Sequence, residues 1–180
     1  MTYDTTVELL KNKIRNVANF PNHGIDFKDI TPLLGSKDSL CILTEILLEK
    51  YKNKGITKVV GIESRGFFMG SILAYELNAG FVPIRKPGKL PFKVLEKNYI
   101  KEYGEDTIQI HSDSLNPDDI VLIHDDLLAT GGTILAAYEL IKSMGVKRIY
   151  INFLVELLYL NGRNELPENL DIASIFKLES

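Results

Sequence analysis

The most constraining feature of this chain is the segment at residues 120–133, where a strand, an acid pair, a glycine-rich turn and a helix follow one another. Apolar residues at 120–123 predict a short buried strand, which runs into His124 and then into Asp125 and Asp126. After the turn, apolar residues at 134, 137, 138 and 141 recur at the spacing of a helix. A strand that leads directly into a helix is typical of an α/β fold with a mostly parallel sheet.

This segment also predicts a phosphate site. The turn at residues 129–133 can direct several backbone N–H groups at one anion, and the helix that follows adds its partial positive charge. Two carboxylates beside such a site suit vicinal hydroxyls, so a ribose 5-phosphate fits. A Walker loop is excluded because no lysine follows Gly132, and a dinucleotide fingerprint is excluded because a single glycine pair is present.

The rest of the chain repeats the alternation of strands and helices. Strands are predicted at 58–62, 81–84 and 148–155, with helices at about 37–53 and 66–78. We also expect a first helix that includes Val7, Leu10, Ile14 and Val17, a loop at 20–35, and a helix followed by a strand at the end of the chain. The expected fold is a mostly parallel twisted sheet flanked by helices, whose ligands bind outside the carboxyl ends of the strands.

The polar segment at residues 85–106 is too long for a plain connection, so it is a candidate lid. Parts of it alternate like an antiparallel ribbon, and residues 107–110 supply a second such run. We therefore expect one domain, residues 1–180, with a core at about 36–84 and 115–180 and a hood or lid at about 1–35 and 85–111.

Three other segments carry candidate chemistry. Ser64 and Arg65 lie in a second turn from strand to helix, and Arg85, Lys86 and Lys89 lie in a turn stiffened by proline. Both turns follow strand ends, which favours a polyanion such as pyrophosphate. An acid in a closing lid, Glu102, can act as a general base, and an aromatic residue in a loop, Phe27, can stack on a flat base.

Charge and composition exclude several classes of partner and site. With 21 basic and 24 acidic residues the net charge is −3, which gives no electrostatic argument for binding nucleic acid or a membrane. The single cysteine, Cys41, excludes an intramolecular disulfide and a cysteine-based zinc site. Because there is no signal-peptide pattern and no apolar run long enough to span a bilayer, we expect a cytoplasmic protein.

Together the segments resemble the adenine phosphoribosyltransferase family, a branch of the type I phosphoribosyltransferases. The resemblance covers nearly the whole chain. It rests on Phe20-Pro21, Phe27 to Pro32, Gly61 to Phe67, Ile84 to Pro91, Glu102 to Gly104, Asp125 to Thr133, Leu154 to Leu157 and Gly162-Arg163.

The resemblance implies a fold, a reaction and an assembly. The fold would be that of a type I phosphoribosyltransferase. Adenine N9 would attack C1 of phosphoribosyl pyrophosphate in a step of purine salvage, releasing pyrophosphate and forming AMP. The cofactor would be Mg²⁺, held mainly by substrate oxygens and waters near Asp125 and Asp126 without a direct protein ligand. The protein would be a homodimer, with Arg85 reaching across from a second subunit.

The resemblance also assigns roles to residues. Glu102 and Tyr103 would be the catalytic residues of the lid. Asp125 and Asp126 would hold the ribose, residues 129–133 the 5-phosphate, and Phe27 with Leu127 would sandwich adenine. The full set of expected substrate-binding residues is Asp26, Phe27, Lys28, Ser64, Arg65, Arg85, Lys86, Lys89, Asp125, Asp126, Leu127, Leu128, Ala129, Thr130, Gly131, Gly132 and Thr133.

Departures from the family pattern leave alternatives open. His124 stands where the family usually has an aliphatic residue, and Asp26 and Lys28 flank Phe27 where many relatives have an apolar residue and arginine. One alternative is therefore a transferase for xanthine, hypoxanthine or guanine. Another is a regulator that senses phosphoribosyl pyrophosphate without turnover, although regulators of that kind usually add a DNA-binding domain or a basic patch.

Overall fold

The computed structural model describes residues 2–101 and 104–179, and the chain divides into two compact units, residues 1–50 and 51–180. The first unit contains a strand pair and most of three helices. Its elements are α1 (Tyr3–Lys11), β1 (Arg15–Val17), β2 (Phe27–Asp29), α2 (Thr31–Leu34) and α3 (Lys37–Tyr51), the last of which ends at the first residue of the second unit. Strands β1 and β2 are antiparallel, with Val17 opposite Phe27.

Two expectations for the first unit were wrong. The first helix ends at Lys11, because the N–H groups of Lys13 and Ile14 turn back to the carbonyls of Leu10 and Lys11, each at 3.0 Å. Val17 then pairs in β1, so strand pairing overrides a helical apolar spacing. The segment at 20–35, expected to be a loop, contains β2 and the short helix α2.

The second unit is built on one sheet of five parallel strands, in the order β4-β3-β7-β8-β9. This confirms the predicted α/β fold with a mostly parallel sheet. The helix and strand expected at the end of the chain correspond to two short 3₁₀ helices followed by a strand. The elements are β3 (Lys58–Ile62), α4 (Gly66–Glu76), β4 (Gly80–Ile84), β5 (Val94–Lys101), β6 (Gly104–His111), β7 (Ile120–Leu128), α5 (Gly132–Ser143), β8 (Arg148–Leu157), the 3₁₀ helices Leu158–Leu160 and Gly162–Glu165, and β9 (Asp171–Leu178).

The middle of this sheet is buried on both faces. Strand β7 lies between β3 and β8, and its residues Val121, Leu122 and Ile123 are fully buried. Ile134 and Ala137 of α5 belong to the same apolar cluster as Val121 and Ile123. Because strands buried on both faces need continuous apolar runs, the run at 120–123 fixes β7 as a central strand.

The acid pair lies inside β7, whereas the sequence placed it after the strand. The ladder with β8 continues beyond the pair, with Asp125 opposite Phe153 and Leu128 opposite Glu156. Neighbouring side chains in a strand point to opposite faces of the sheet. The two carboxylates therefore leave the backbone in different directions.

Strands β5 and β6 form the predicted antiparallel ribbon, in which Tyr99 lies opposite Asp106. The ribbon is attached to the end of β4, since Arg85 and Gln109 exchange two backbone hydrogen bonds of 2.9 and 2.8 Å. The lid segment thus begins from the carboxyl edge of the sheet.

The contact between α4 and β7 leads to a stability prediction. A Cβ atom at Gly66 would lie 2.7 Å from the His124 carbonyl oxygen and 3.2 Å from the Asp125 Cα. Alanine at this helical position should raise stability by about 0.5–1 kcal/mol through backbone entropy. We expect overpacking to outweigh this gain, so that Gly66→Ala lowers the free energy of unfolding by about 1–3 kcal/mol, as measured in urea titrations.

Gly80→Ala is the control, because the three atoms nearest to its new Cβ all belong to the flexible Lys58 side chain. Its free energy of unfolding should stay within about 0.5 kcal/mol of the unmodified protein. An unchanged or higher stability of Gly66→Ala would contradict the close contact between the helix and the strand.

Candidate active site

The carboxyl ends of β3, β4 and β7 meet at a cavity of about 140 Å³. This is the edge at which parallel sheets bind ligands. The cavity brings together residues from both predicted anion turns and from the acid pair. Its lining residues are Ile62, Glu63, Ser64, Arg65, Ile84, Arg85, Lys86, Tyr99, Ile108, Asp125, Asp126 and Thr133.

A second cavity of about 80 Å³ adjoins the first and shares Asp125 and Thr133 with it. It holds most of the predicted phosphate turn. Its lining residues are Asp125, Leu127, Leu128, Ala129, Thr130, Gly131, Thr133, Ile134 and Phe153. A ligand that occupies both cavities would pass the acid pair in its middle.

The phosphate loop, defined here as residues 129–133, owes its shape to glycine. Gly131 precedes the first turn of α5 with φ +92°, a conformation that side chains other than glycine rarely adopt. The first N–H groups of a helix have no partner within the helix, and they carry its partial positive charge. The loop therefore presents donors at the place where the sequence predicted a 5-phosphate.

The acid pair is buried and linked to a cation. Asp126 is 3% exposed, and its Oδ2 lies 3.0 Å from Nε of Arg65. Asp125 Oδ1 accepts the backbone N–H of Asp126 at 2.9 Å. Burial raises the pKa of Asp126 against the opposing effect of Arg65, and burial together with the charge of Asp126 raises the pKa of Asp125 well above its usual range. A positive charge that develops nearby would favour the form in which both Asp125 and Asp126 are ionised.

Glu63 joins the two turns that carry the cations. Arg85 donates from Nε to Glu63 Oε2 at 3.2 Å and from NH2 to Oε1 at 3.0 Å, and the Lys86 N–H donates to Oε2 at 2.9 Å. The hydrogen bond from Arg85 is the main cause that lowers the pKa of Glu63. In this chain the Arg85 guanidinium thus pairs with the chain's own Glu63, and its reach toward a second subunit stays a prediction.

Tyr99 connects the ribbon to the phosphate loop. Its hydroxyl donates to Asp106 Oδ2 at 3.1 Å and accepts from Lys86 Nζ at 3.1 Å and from Thr133 Oγ1 at 3.2 Å. The Lys86 ammonium also forms an ion pair with Asp106 and lies 5.5 Å from the centre of the Tyr99 ring. One network therefore joins a cation of the first cavity to the loop residue that both cavities share.

Several predicted residues are not among the described residues that line the two cavities. Glu102 and Tyr103 lie outside the described residues, so their roles stay predictions. Asp26, Phe27 and Lys28 belong to the first unit, where Asp26 is exposed, Phe27 packs edge-on against Phe20 at 5.2 Å, and Lys28 is 8% exposed.

Among the remaining predicted residues, Lys89 is exposed, and its carbonyl oxygen accepts from Arg85 NH1 at 3.3 Å. Gly132 begins α5, where a Cβ would lie 3.0 Å from the Ile100 carbonyl oxygen.

Sequence reasoning missed Glu63, Tyr99 and Asp106 as site residues. Glu63 had a usable signal, because an acid directly after one buried strand and Arg85 directly after the next meet at the same edge of a parallel sheet. Tyr99 and Asp106 face each other only in the observed ribbon register, which their spacing in the sequence does not specify.

His124 is fully buried beneath the acid pair. Its Nδ1 lies 3.0 Å from Asn152 Oδ1, and Asn152 Nδ2 donates to the Ala173 carbonyl oxygen at 3.4 Å. Because an amide oxygen accepts, Nδ1 carries the proton in this arrangement. Burial lowers the pKa of His124 to about 4, so the imidazole is neutral at pH 7 and leaves the negative field of the acids intact.

Among residues 2–101 and 104–179, no three His, Cys, Asp or Glu side chains are grouped so that they could hold a metal ion. Likewise, none of the helices in this part of the chain has the length and apolar character needed to cross a membrane.

Comparison with known proteins gives one consistent result. The family model of the phosphoribosyl transferase domain matches residues 33–178. The chain is 56% identical to the adenine phosphoribosyltransferase of Bacteroides thetaiotaomicron, over 95% of this chain and 97% of that protein. It is 52% identical to the protein of the same name from Citrifermentans bemidjiense, over 90% and 95% of the two chains.

Solved structures agree with these relatives. The crystal structure of the adenine phosphoribosyltransferase from Rhodothermus marinus has a TM-score of 0.93 at 50% identity, covering 97% of this chain and 99% of that one. The enzyme from Giardia lamblia in complex with 9-deazaadenine has a TM-score of 0.92 at 42% identity, covering 97% and 98%.

The buried His124 predicts a pH dependence of stability. Its pKa of about 4 in the folded protein lies below its usual value of 6.5, so the unfolded chain binds the proton more readily between these values. The free energy of unfolding should therefore fall as the pH drops through this window, with His124 contributing at most about 1.4 kcal/mol per pH unit. In His124→Gln, urea titrations from pH 7 to 5 should show a flatter dependence.

His23→Gln is the matched control, because His23 is exposed. Its free energy of unfolding should keep the pH dependence of the unmodified protein. The carboxylates contribute to this dependence equally in every variant. An equally steep dependence in His124→Gln would show that the imidazole does not resist protonation in the folded state.

Proposed function

This chain belongs to the phosphoribosyl transferase family, and we propose that it transfers the phosphoribosyl group to adenine. The enzyme is a pentosyltransferase of purine salvage that converts adenine and 5-phosphoribosyl 1-pyrophosphate into AMP and pyrophosphate. One observation carries the assignment of the site: Asp125 lines both the cavity of the phosphate loop and the cavity of the cationic turns, and Asp126 lines the latter.

The two cavities suggest how the activated sugar lies. We place the 5-phosphate on the N–H groups of residues 129–133, the ribose hydroxyls on Asp125 and Asp126, and the pyrophosphate between the Ser64-Arg65 turn and Lys86. These groups follow one another in the same order in phosphoribosyl pyrophosphate.

The reaction separates charge, and the site is charged to match. The bond from N9 to C1 forms while the bond from C1 to the pyrophosphate oxygen breaks, and the electron pair of that bond leaves on the pyrophosphate. The ring passes through an oxocarbenium-like state, which the carboxylates of Asp125 and Asp126 stabilise. Arg65 and Lys86 stabilise the charge that develops on the leaving group, so the field is in place before the bonds change.

The donors present fit a magnesium ion that is shared with the substrate. Asp125 lines both cavities and Asp126 lines the first, and Mg²⁺ usually takes one or two carboxylates and completes its shell with waters and phosphate oxygens. These residues would hold it through ribose hydroxyls and waters. When bound, the ion would offset the negative charge of the pyrophosphate.

The remaining roles concern the lid, the base and the assembly. We assign Glu102 as the general base, whose carboxylate takes the N9 proton of adenine, with Tyr103 closing the site over the sugar. We assign Phe27 and Leu127 to the two faces of the base, and the backbone around Asp26 and Lys28 to its edge. The family resemblance supports a homodimer in the cytoplasm.

The activity is tested by product formation with one base at a time. Purified protein with phosphoribosyl pyrophosphate and Mg²⁺ should give AMP from adenine and no nucleotide from hypoxanthine, guanine, xanthine or uracil, as followed by chromatography. Omitting Mg²⁺ should stop the reaction. An oxopurine nucleotide as the main product would contradict the assignment of the base, and no product from any base would contradict turnover.

The lid acid is tested by Glu102→Gln. Proton transfer by a positioned side chain contributes about 10²–10⁴-fold, so kcat should fall by that range while KM for phosphoribosyl pyrophosphate changes little. The matched control is Glu105→Gln, since Glu105 is an exposed acid on β6, three positions along the sequence, and should leave kcat unchanged. Full turnover in Glu102→Gln would remove this residue from the mechanism.

A further inference from the structure

A turn from the end of the chain lies directly against the back of the phosphate loop. A Cβ atom at Gly162 would lie 2.1 Å from the carbonyl oxygen of Ala129, and one at Gly131 would lie 2.3 Å from the carbonyl oxygen of Gly162. Real Cβ atoms essentially never approach that closely. The two backbones therefore touch with no room for a methyl group, and the position of one fixes the position of the other.

A pair of charged side chains holds this turn in place. Arg163 donates from Nε to Glu156 Oε1 at 2.9 Å and from NH2 to Oε2 at 2.6 Å, in a bidentate arrangement. The same guanidinium donates from NH1 to the Ile172 carbonyl oxygen at 3.0 Å and from NH2 to Ser174 Oγ at 3.4 Å. Each of its three nitrogens is thus engaged by the protein, which points to a role through the neighbouring Gly162.

The pair is attached to the phosphate loop from two directions. Glu156 lies opposite Leu128 in the ladder between β7 and β8, one residue before the loop begins. Its side chain reaches Arg163, and Gly162 touches Ala129 and Gly131. The contacts therefore form a closed series at the start of the loop, which runs from Leu128 through Glu156, Arg163 and Gly162 back to Ala129.

Electrostatics keep the pair charged. The Glu156 side chain is 6% exposed and that of Arg163 is 38% exposed. The hydrogen bond from Arg163 lowers the pKa of Glu156, and the same bond raises the pKa of Arg163. A bidentate contact needs the planar fork of arginine, which a lysine ammonium does not provide.

We propose that Glu156 and Arg163 are positioning residues for the 5-phosphate, which clamp Gly162 against residues 129–131 and so hold the loop N–H groups ready for the anion. This inference rests on the proposed function, because it assumes that the loop binds the 5-phosphate of the sugar. The pair acts on one end of the substrate, since the residues assigned to pyrophosphate lie in the separate turns at Ser64-Arg65 and at Lys86.

The test compares two probes that occupy different ends of the site. Calorimetry would measure the Kd of ribose 5-phosphate and the Kd of pyrophosphate, each with Mg²⁺. In Arg163→Lys the Kd of ribose 5-phosphate should rise by about tenfold or more, because a small misplacement of a binding group is costly. The Kd of pyrophosphate should stay within about twofold, because a substitution in one part of a protein has little effect on binding at a distant, independent part.

Arg148→Lys serves as the matched control, because Arg148 is an exposed arginine at the other end of β8. It should change neither Kd. An equal rise of both constants in Arg163→Lys would indicate general destabilisation and overturn the proposal, as would two unchanged constants.

Hydrogen exchange supplies a readout that does not depend on the activity. In the free protein, Arg163→Lys should speed exchange of the amides at residues 129–133 and leave the amides of β3 unchanged. Gly162→Ala should reproduce this effect with the ion pair intact, and it carries the test if Arg163→Lys does not fold. Unchanged loop exchange in both variants would overturn the clamp.

The two readouts separate the clamp from the function on which it rests. If the unmodified protein makes no AMP while the loop amides respond as expected, the proposed function fails and the mechanical contact stands. If AMP forms and neither the loop amides nor the Kd of ribose 5-phosphate responds, the clamp is wrong and the function stands.

Discussion

The parallel pairing of β7 with β3 on one side and β8 on the other is the constraint on which the site depends. Because β7 is central, its carboxyl end meets the turns that follow β3 and β4 and the segment that follows β8. Asp125 and Asp126 are still within the ladder, so backbone pairing holds them more rigidly than a loop would. Asp125 and Asp126 thus stand on a central, largely buried strand of the sheet, where their positions are better defined than on a loop.

The sequence predicted the parts of the fold whose signals are local. Continuous apolar runs gave β3 and the start of β7, and helical spacing after a glycine turn gave α5. It failed where pairing decides the outcome. Val17 fits a helical face but joins β1. The apolar run of β7 ends at Ile123, five residues before the ladder with β8 ends at Leu128, because backbone pairing continues through the polar residues. Apolar patterning reports burial, whereas strand length depends on partners.

The predictions for the site show the same contrast between local motifs and contacts over long distances in the sequence. Residues that lie within one motif, such as the loop at 129–133 and the Ser64-Arg65 turn, were found from their own spacing. Contacts between distant motifs were not. The hydroxyl of Tyr99 joins Lys86, Asp106 and Thr133 only once the ribbon register is known. In the same way, Glu156 and Arg163 were visible as parts of a resemblance, but their pairing beside Gly162, whose backbone contacts the phosphate loop, required the structure.

The cations in the described lining of the first cavity are each paired with a carboxylate of the protein. Arg65 lies against Asp126, Lys86 against Asp106, and Arg85 against Glu63. Leaving such charges without partners in a partly buried site would be costly, and pairing them offsets part of the cost of removing them from water. A pyrophosphate oxygen must therefore compete with a carboxylate, so part of the attraction is offset on binding. The same pairing holds the cations near their working positions, which favours stabilisation of the leaving group over tight binding of the substrate.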